Sequence, residues 1–486
     1  MNKTVSLLFI LLIFTPVRAQ LNKQMSYAVE SGVTLGDGDY APFWLTANRY
    51  GLSSVLNHNA YVRAGLFRPL EADKKFSYAF GLDLAGAYRF TSGFLVQQAY
   101  LDLKYGVLEL SLGSKEREME LKNQQLSSGG MTFSRNARPI PQVRAGIPDY
   151  WTVPGLNQWI AIRGHLAFGM FTDNHWQRNF IRQNRRYTQN ALFHSKAAFM
   201  RIGNEYKHPL VFEGGIEMGS QFRGQIYNLR ETIPYLDMRR EGLMDFIKVL
   251  LPSGSDPTDG EYANVYGNHL GNWNFSLSYR FPDWKVRAYY DHYFDDHSML
   301  FFEHAWIDAL VGLEISLPPN PILSSLVYEH VGTKDQAGPI FHDHTAAIPD
   351  QISARDDYYN HVLYVGWQHQ GMAIGNPLLL SPVYNTDGLI AFKSNRIKAH
   401  HLGLKGRPAQ EIDYRLLFSY TRSWGTYENP FVDIRTNAAL LLEVAYTPRF
   451  LRGWQFTASL AFDRGDLMGN NTGGMLSVRK TGLLTQ

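Results

Sequence analysis

The stretch FSYAFGLDLAGAYRF, Phe76 to Phe90, alternates between two kinds of residue along its whole length. Small and polar residues, among them Ser77, Gly81, Asp83 and Arg89, take one face. The other face carries Phe76, Tyr78, Phe80, Leu82, Leu84, Tyr88 and Phe90. Successive side chains of a β-strand point to opposite sides, so this period of two predicts a strand with one apolar face.

The length of this strand indicates where it lies. Aromatic residues bracket the aliphatic ones, and the strand from Tyr78 to Tyr88 extends ~33 Å at ~3.3 Å per residue. A tilt of ~45° leaves a height of ~23 Å, close to the ~25 Å apolar band of an outer-membrane barrel. Strands of soluble proteins average only about 5 to 6 residues. The stretch therefore predicts a strand that crosses a membrane.

The same alternation recurs from one end of the chain to the other. It is clear in residues 26–35, 160–170, 210–222, 273–281, 414–420, 440–446 and 454–462. We count about eighteen candidate strands, an even number, as expected for a single-chain bacterial barrel. The sequence thus predicts an all-β protein, a transmembrane outer-membrane β-barrel of antiparallel strands.

The N-terminus and the composition agree with export. Lys3, an apolar run and a small-residue site before Gln20 predict a signal peptide at residues 1–19, followed by a single barrel domain at 20–486. The chain has no Cys, which excludes disulfides, thiol metal ligands and lipid-modified cysteine. Its 47 Lys and Arg nearly balance its 44 Asp and Glu, so nothing points to nucleic acid.

One long stretch breaks the alternation. Asn123 to Pro154 contains repeated Gly and Pro together with basic and aromatic residues, and it predicts an ordered loop held inside or across the barrel. An ordinary surface loop is the alternative. A short amphipathic helix over Leu243–Leu251 is predicted to pack in the barrel mouth, lie at the membrane interface or brace a loop. We expect the internal loop and this helix to occlude the lumen.

The candidate binding residues combine arginine with aromatic side chains. They are Arg135 and Arg138 of the long loop, and Trp176, Arg178, Arg182, Arg185, Arg186 and Tyr187 of the segment TDNHWQRNFIRQNRRYTQ. Guanidinium groups suit carboxylates or phosphates, and aromatic faces suit sugar rings. An anionic polysaccharide presents both. The alternative is a rim cluster that faces acidic outer-membrane lipid.

Two other groups of residues give weaker signals. His342 and His344 flank Asp343, but nothing near them supplies further ligands at a recognisable spacing, so no metal site is predicted. Asp291, Asp295, Asp296 and His297 suggest a hydrolytic site, although solvated loop acids are the favoured interpretation. We predict no cofactor.

Several motifs in order along the chain resemble the Wzi-like capsule assembly family of outer-membrane proteins. They are APFWLTANRYG (Ala41–Gly51), GGMTFSRNARPIP (Gly129–Pro141), HSK (His194–Lys196), GNHLGNW (Gly267–Trp273), TKDQAGP (Thr333–Pro339), YYNH (Tyr358–His361), GNPLL (Gly375–Leu379) and HHLGL (His400–Leu404). The resemblance implies an occluded eighteen-stranded barrel that acts as a surface lectin, without catalysis.

These observations together lead to a functional expectation. We expect an outer-membrane protein that binds and retains capsular or extracellular polysaccharide noncovalently during capsule assembly. The expected partners are this polysaccharide, outer-membrane lipid and, further, the capsule export machinery. A diffusion channel and a membrane-embedded hydrolase are the alternatives.

Overall fold

The computed structural model describes residues 25–182, 184–205, 207–239, 242–251, 266–295, 307–318, 320–339 and 353–484. The predicted signal peptide, residues 1–19, lies outside these ranges, as do Asp296, His297 and the His342–His344 motif. None of the described helices is long and apolar enough to cross a membrane.

Eighteen strands form one closed antiparallel sheet, as predicted. Each strand pairs with its neighbours along the chain, and the first pairs with the last from Ser26–Leu483 to Asp37–Thr472, which closes the barrel. The strands are β1 Ser26–Asp37, β2 Asn59–Arg68, β3 Phe76–Tyr88, β4 Phe94–Tyr105, β5 Leu108–Ser114, β6 Gln142–Thr152, β7 Ile160–Met170, β8 Leu192–Ile202, β9 Leu210–Phe222, β10 Asn268–Arg280, β11 Lys285–Asp295, β12 Ala309–Ser316, β13 Ser325–Gly332, β14 Ile397–Ala409, β15 Ile412–Gly425, β16 Pro430–Tyr446, β17 Trp454–Arg464 and β18 Asn471–Leu483.

The two faces of the strands differ as the alternation predicts. In β3, Leu82 is 47% exposed on the outside, whereas the neighbouring Asp83 is 1% exposed and points into the barrel. In β10, Leu277 is exposed outside, while Asn274 and Ser276 are buried inside. The apolar outer wall and polar interior are those of an outer-membrane barrel.

The connections differ in length at the two ends of the barrel. Short turns such as 106–107 and 410–411 lie at the end that also holds both chain termini. The long segments 38–58 and 115–141, and the described parts of 171–191, 223–267 and 333–396, lie at the opposite end. Because barrels of this class have short periplasmic turns and longer extracellular loops, the long segments mark the extracellular end.

Three of the long segments turn inward and fill the lumen. We call residues 42–55, 115–141 and 356–396 the plug. Its residue Ser127 donates from Oγ to Glu329 Oε1 of the wall at 2.6 Å, and Lys122 Nζ lies 2.7 Å from Asp291 Oδ1. The plug core is fully buried and contains Leu126, Met131, Tyr358, Tyr359, Tyr364, Trp367 and Phe392. The predicted occlusion by an internal loop is therefore present.

The motifs that are scattered along the sequence meet in this plug. The Gly51 N–H donates to the Asn136 carbonyl at 2.8 Å, and Asn376 Nδ2 donates to the Gly129 carbonyl at 2.8 Å. From the wall, His401 Nε2 donates to the Leu126 carbonyl at 2.7 Å. These bonds join backbone groups that are buried away from water and would otherwise be costly.

The predicted loop Asn123–Pro154 ends earlier than the sequence suggests. Its last part, Gln142–Thr152, is strand β6 of the wall. The pairing of β6 with β7 is interrupted between Ile147 and Trp151, and Pro148 lies in this irregularity. Proline has no N–H to donate, so a strand accepts it where the ladder is interrupted. The loop prediction was wrong for this part.

Of the α-helices in the described residues, two lie outside the barrel lumen or at its mouth, and a third belongs to the plug. The plug helix α1 is Phe43–Thr46, and α2, Asn174–Phe180, lies at the extracellular mouth. The helix α3, Leu243–Leu250, does not occlude the lumen as we expected. The contacts of one face of α3 place it on the outside of the barrel.

Helix α3 packs against the outer wall. Phe246 lies 5.3 Å, between ring centroids, from both Phe168 and Phe222. Phe168 shares the outward face of β7 with the exposed Leu166, and Lys196 Nζ donates to the carbonyl of Leu250 at 2.6 Å. The other face of α3, directed away from the barrel, exposes Leu243, Met244, Ile247 and Leu251.

Candidate functional site

The segment 171–191 at the extracellular mouth carries most of the predicted binding residues. It contains α2 and the short strand Tyr187–Gln189. Asp173, which is buried, accepts hydrogen bonds from Gln177 Nε2 at 2.9 Å and from Gln368 Nε2 of the plug at 3.0 Å. The plug therefore holds the start of α2 in place.

Trp176 mainly packs α2 against the plug and leaves little exposed surface for a ligand. It is 8% exposed and stacks on Phe180 at 4.8 Å between ring centroids. Gly371, with φ +82°, approaches the Trp176 ring so closely that a Cβ there would lie 2.4 Å from a ring carbon. Most of the indole surface is thus used to seat α2 on the plug.

Arg178, Arg182 and Arg185 form an exposed basic surface, and we call these three residues the arginine surface. Arg178 Nη2 donates to His175 Nδ1 at 3.0 Å. Within the described part of the chain, no carboxylate forms an ion pair with any of the three. Their guanidinium groups therefore face the extracellular side with their charge uncompensated.

Arg186 and Tyr187 are used in the local structure. Arg186 Nη1 donates to the Val362 carbonyl, and burial lowers the pKa of Arg186 to about 10, an effect that Asp357 opposes. Tyr187 stacks on Tyr227 at 4.7 Å between ring centroids, in a small sheet of three strands. We assign both residues to positioning of the segment.

Arg138 lies in a cleft beside α2. This cleft, which we call the outer cleft, has a volume of about 700 Å³. A smaller cavity of about 210 Å³ adjoins it and shares Arg138, Phe180 and Gln370. The residues that line the outer cleft include Phe94, Val96, Arg138, Trp176, Phe180 and Gln370. The structure thus brings the predicted residues Arg138 and Trp176 together.

Arg138 has few partners within the described residues. Its Nη2 donates to Thr91 Oγ1 at 3.3 Å, and its Nε is buried without a hydrogen-bond partner. Its backbone carbonyl accepts from His369 Nδ1 at 2.9 Å. Burial lowers the pKa of the Arg138 guanidinium to about 10, so the group stays charged at neutral pH.

Arg135 lies on the other side of the plug. Its guanidinium lies 4.8 Å above the Tyr50 ring and donates to the Gln124 carbonyl. It lines a separate cavity of about 1060 Å³, the periplasmic cavity, which reaches Arg407 and Asp413 beside the turn 410–411. The structure therefore does not bring Arg135 to the extracellular candidates.

The acids that suggested hydrolysis hold the plug. Asp291 forms its ion pair with Lys122, and Asp295 Oδ2 accepts from the Tyr359 N–H at 2.8 Å. Both are buried, so the expectation of solvated loop acids was wrong for them. Among the described residues, no group of three His, Asp or Glu side chains is arranged to hold a metal ion.

Sequence reasoning missed part of the outer cleft. Thr91, His175, Asn179 and Gln370 also line it. Thr91 belongs to the turn between β3 and β4, and Gln370 belongs to the plug. Polar residues in separate connections follow no sequence period that would group them, although His175 and Asn179 lie on the predicted segment.

Comparison with known proteins supports the fold. One similar solved structure is Wzi, an outer membrane protein involved in group 1 capsule assembly in Escherichia coli and a carbohydrate-binding β-barrel. The TM-score is 0.56 and the identity 12%, over 96% of this chain and 86% of that chain. Another is OpdK of Pseudomonas aeruginosa with vanillate, with a TM-score of 0.48 and 9% identity, over 94% of this chain and 98% of that chain.

Searches by sequence add nothing to this likeness, because neither a known protein family nor a curated protein matches the chain. At 12% identity the likeness to Wzi concerns the fold. The closed barrel of eighteen strands, its apolar outer wall and its likeness in fold to Wzi place the chain in the outer membrane.

Proposed function

We propose that this outer-membrane β-barrel is a Wzi-like surface lectin, which binds capsular or extracellular polysaccharide noncovalently and retains it on the cell. One observation carries the proposal. The arginine surface, Arg178, Arg182 and Arg185, stands exposed, and without acidic partners among the described residues, at the extracellular end of a barrel whose lumen holds a plug. Such a surface suits a ligand that is anionic and stays outside.

The chemistry favours a polymer over a small ligand. Exposed guanidinium groups each contribute little, since solvent and salt screen them. A repeating anionic chain that contacts several arginines on many barrels gains avidity beyond any single contact. The carbohydrate binding described for Wzi supports the same interpretation. Outer-membrane lipid and capsule export machinery are the further partners of this proposal.

No chemical reaction is part of the proposal. The buried acids Asp291 and Asp295 are engaged with Lys122 and Tyr359, respectively, and these contacts hold the plug. We propose retention by binding alone, with no cofactor and no catalytic residue.

The test replaces the arginine surface. The triple variant Arg178→Gln, Arg182→Gln and Arg185→Gln should raise the shed fraction of polysaccharide several-fold, while each single variant should have little effect. The measurement is the ratio of cell-attached to released polysaccharide. Raised salt should release polymer from wild-type cells in the same way, because the contacts are ionic.

A matched control uses the opposite end of the barrel. Arg407, Arg449 and Arg452 lie at the periplasmic end, and their replacement by Gln removes the same charge there. This control should leave retention unchanged. Equal retention in both triple variants, with both proteins confirmed in the outer membrane, would remove the arginine surface as the binding site.

The periplasmic cavity favours a second candidate function, a diffusion channel. Its volume of about 1060 Å³ and its charged lining, which includes Lys405, Arg415 and Glu443, resemble a solvated vestibule. A channel requires a continuous path past the plug. The conductance of the wild-type barrel in a planar bilayer separates the two functions.

A further inference from the structure

The barrel wall has a gap at its extracellular end. Pairing between β4 and β5 ends at Ala99–Ser114, where the chain leaves the wall and enters the plug. On its other side, β4 continues upward and pairs with β3 as far as Phe94–Gly86. Above Ala99, β4 therefore has no paired strand on its β5 side. We call this gap the side opening.

The side opening lies within the apolar band. Ala99, at its floor, also pairs with Leu82 of β3, which lies in the middle of the exposed apolar stripe. From the level of Leu82 to Gly86, the partner of Phe94, the strand extends ~13 Å, or ~9 Å in height at a tilt of ~45°. The opening thus spans most of the outer half of a ~25 Å band.

The outer cleft continues through this opening. Phe94 and Val96 of β4 are exposed on the lipid-facing side and line it at one end. Pro139, Pro141 and Phe180 form apolar sides, and Arg138 lies at the inner end. The same cleft is therefore lined both by the lipid-facing wall and by the half-buried Arg138.

Within the described residues, Arg138 lacks the carboxylate partner that several other arginines inside the barrel have. Arg63, Arg163 and Arg415 lie 2.5, 2.5 and 2.8 Å from carboxylate oxygens. Arg138 has no ion-pair partner within the described residues, and its one side-chain hydrogen bond goes to the neutral Thr91 hydroxyl. A desolvated charge without a counter-ion is costly. An anion bound in the cleft would supply the counter-ion that Arg138 lacks among the described residues.

We propose that the side opening admits an anionic amphiphile of the outer leaflet, whose phosphate or carboxylate binds Arg138 while its acyl chains lie outside against Phe94 and Val96. The inference stands independently of the proposed function, because it concerns the lipid-facing wall and not the arginine surface. The apolar sides of the cleft and its continuity with the wall favour a lipid over a free anion.

The test measures lipid retention by the refolded protein in detergent, using native mass spectrometry. The probe is dioleoyl phosphatidylglycerol, and we expect the wild-type protein to retain one molecule. Arg138→Gln should weaken retention by about tenfold or more, because a charge-assisted hydrogen bond is lost. The matched control Arg435→Gln removes an exposed arginine at the same extracellular end and should retain the lipid as the wild type does.

Two further ligands distinguish the source of the anion. Glycerol phosphate presents a phosphate anion of at least the same charge without chains, and dioleoyl phosphatidylethanolamine carries the same chains without net charge. Both should be retained at least about tenfold more weakly than phosphatidylglycerol. Equal retention of glycerol phosphate would overturn access from the membrane, and equal retention of phosphatidylethanolamine would overturn recognition of the charge.

A second variant keeps the inference testable if Arg138→Gln does not fold. Ser114→Phe places a large ring at the floor of the side opening without touching Arg138, and it should also abolish retention of phosphatidylglycerol. Leu112→Phe, one outward position below in the same strand, is the control and should not. Undiminished retention in Ser114→Phe would contradict the proposed route.

Discussion

At the scale of single residues, His369 shows how the plug selects one charge state. Its Nδ1 donates to the Arg138 carbonyl, and its Nε2 lies 3.4 Å from the Thr172 N–H, which donates to it. A ring that donates at one nitrogen and accepts at the other is neutral. Burial is the main cause that lowers the pKa of His369 below its ordinary value, and Asp173 opposes it.

This geometry predicts a pH dependence of stability. Around and below pH 6.5 the unfolded chain takes up a proton at His369 more readily than the folded chain, so the free energy of unfolding falls as the pH drops. Between pH 7.5 and 5.5 the wild-type protein should therefore lose more free energy of unfolding than His369→Gln. Urea unfolding in detergent measures the difference, and an equal loss in both proteins would show that His369 titrates normally.

At the scale of one element, β3 makes the membrane assignment testable. Leu82 lies on the lipid-facing side near the middle of the apolar band. Leu82→Arg should therefore reduce barrel stability by about 2 to 4 kcal/mol. The measurement is the denaturant midpoint of the refolded protein in lipid vesicles.

The control for this prediction is Leu451→Arg. Leu451 lies in the connection 447–453 at the periplasmic end, partly exposed and outside the band. The same change of side chain should there cost little, because the guanidinium stays in water. If both variants lose the same free energy, β3 does not face lipid at Leu82.

The elements differ in how far their sequences predict them. Strands such as β3 and β10 follow from local alternation, because lipid on one side and a polar interior on the other impose it. In β6, Pro148 and Gly146 conceal a strand whose pairing is irregular at the proline. The sequence of α3 did not predict its position. Its exposed apolar residues face away from the barrel, while Asp245 and Val249 are buried. In a membrane protein an apolar stripe does not by itself identify the inside.

At the scale of the whole molecule, the plug explains why the outer cleft was only partly predictable. The basic segment 171–191 is continuous in sequence, so its arginines were visible. Arg138, Thr91 and Gln370 meet only because separate connections fold into one lumen. The motifs identified distant stretches of the chain as important. Only the structure shows which of these stretches contact one another.

The plug also predicts the electrical behaviour of the barrel. The wild-type protein should pass little current in a planar bilayer, despite a strand count typical of a porin, since the described plug packs across the lumen. Replacing residues 120–136 by a short Gly/Ser linker should open a steady conductance. The deletion must stop before Gln142, where wall strand β6 begins.

A linker of the same composition inserted in the connection 447–453 is the control and should leave the conductance low. Correct folding of each variant is checked by heat-modifiable migration on a gel. A large, steady wild-type conductance would favour the channel and would contradict an occluding plug.

The side opening has a consequence for how a ligand reaches the outer cleft. A closed wall admits a molecule only from the extracellular mouth, through water. A wall that is open within the apolar band also admits a molecule that moves in the plane of the membrane, and it releases that molecule by the same route. We therefore expect a lipid in the outer cleft to exchange with the outer leaflet while the plug stays in place.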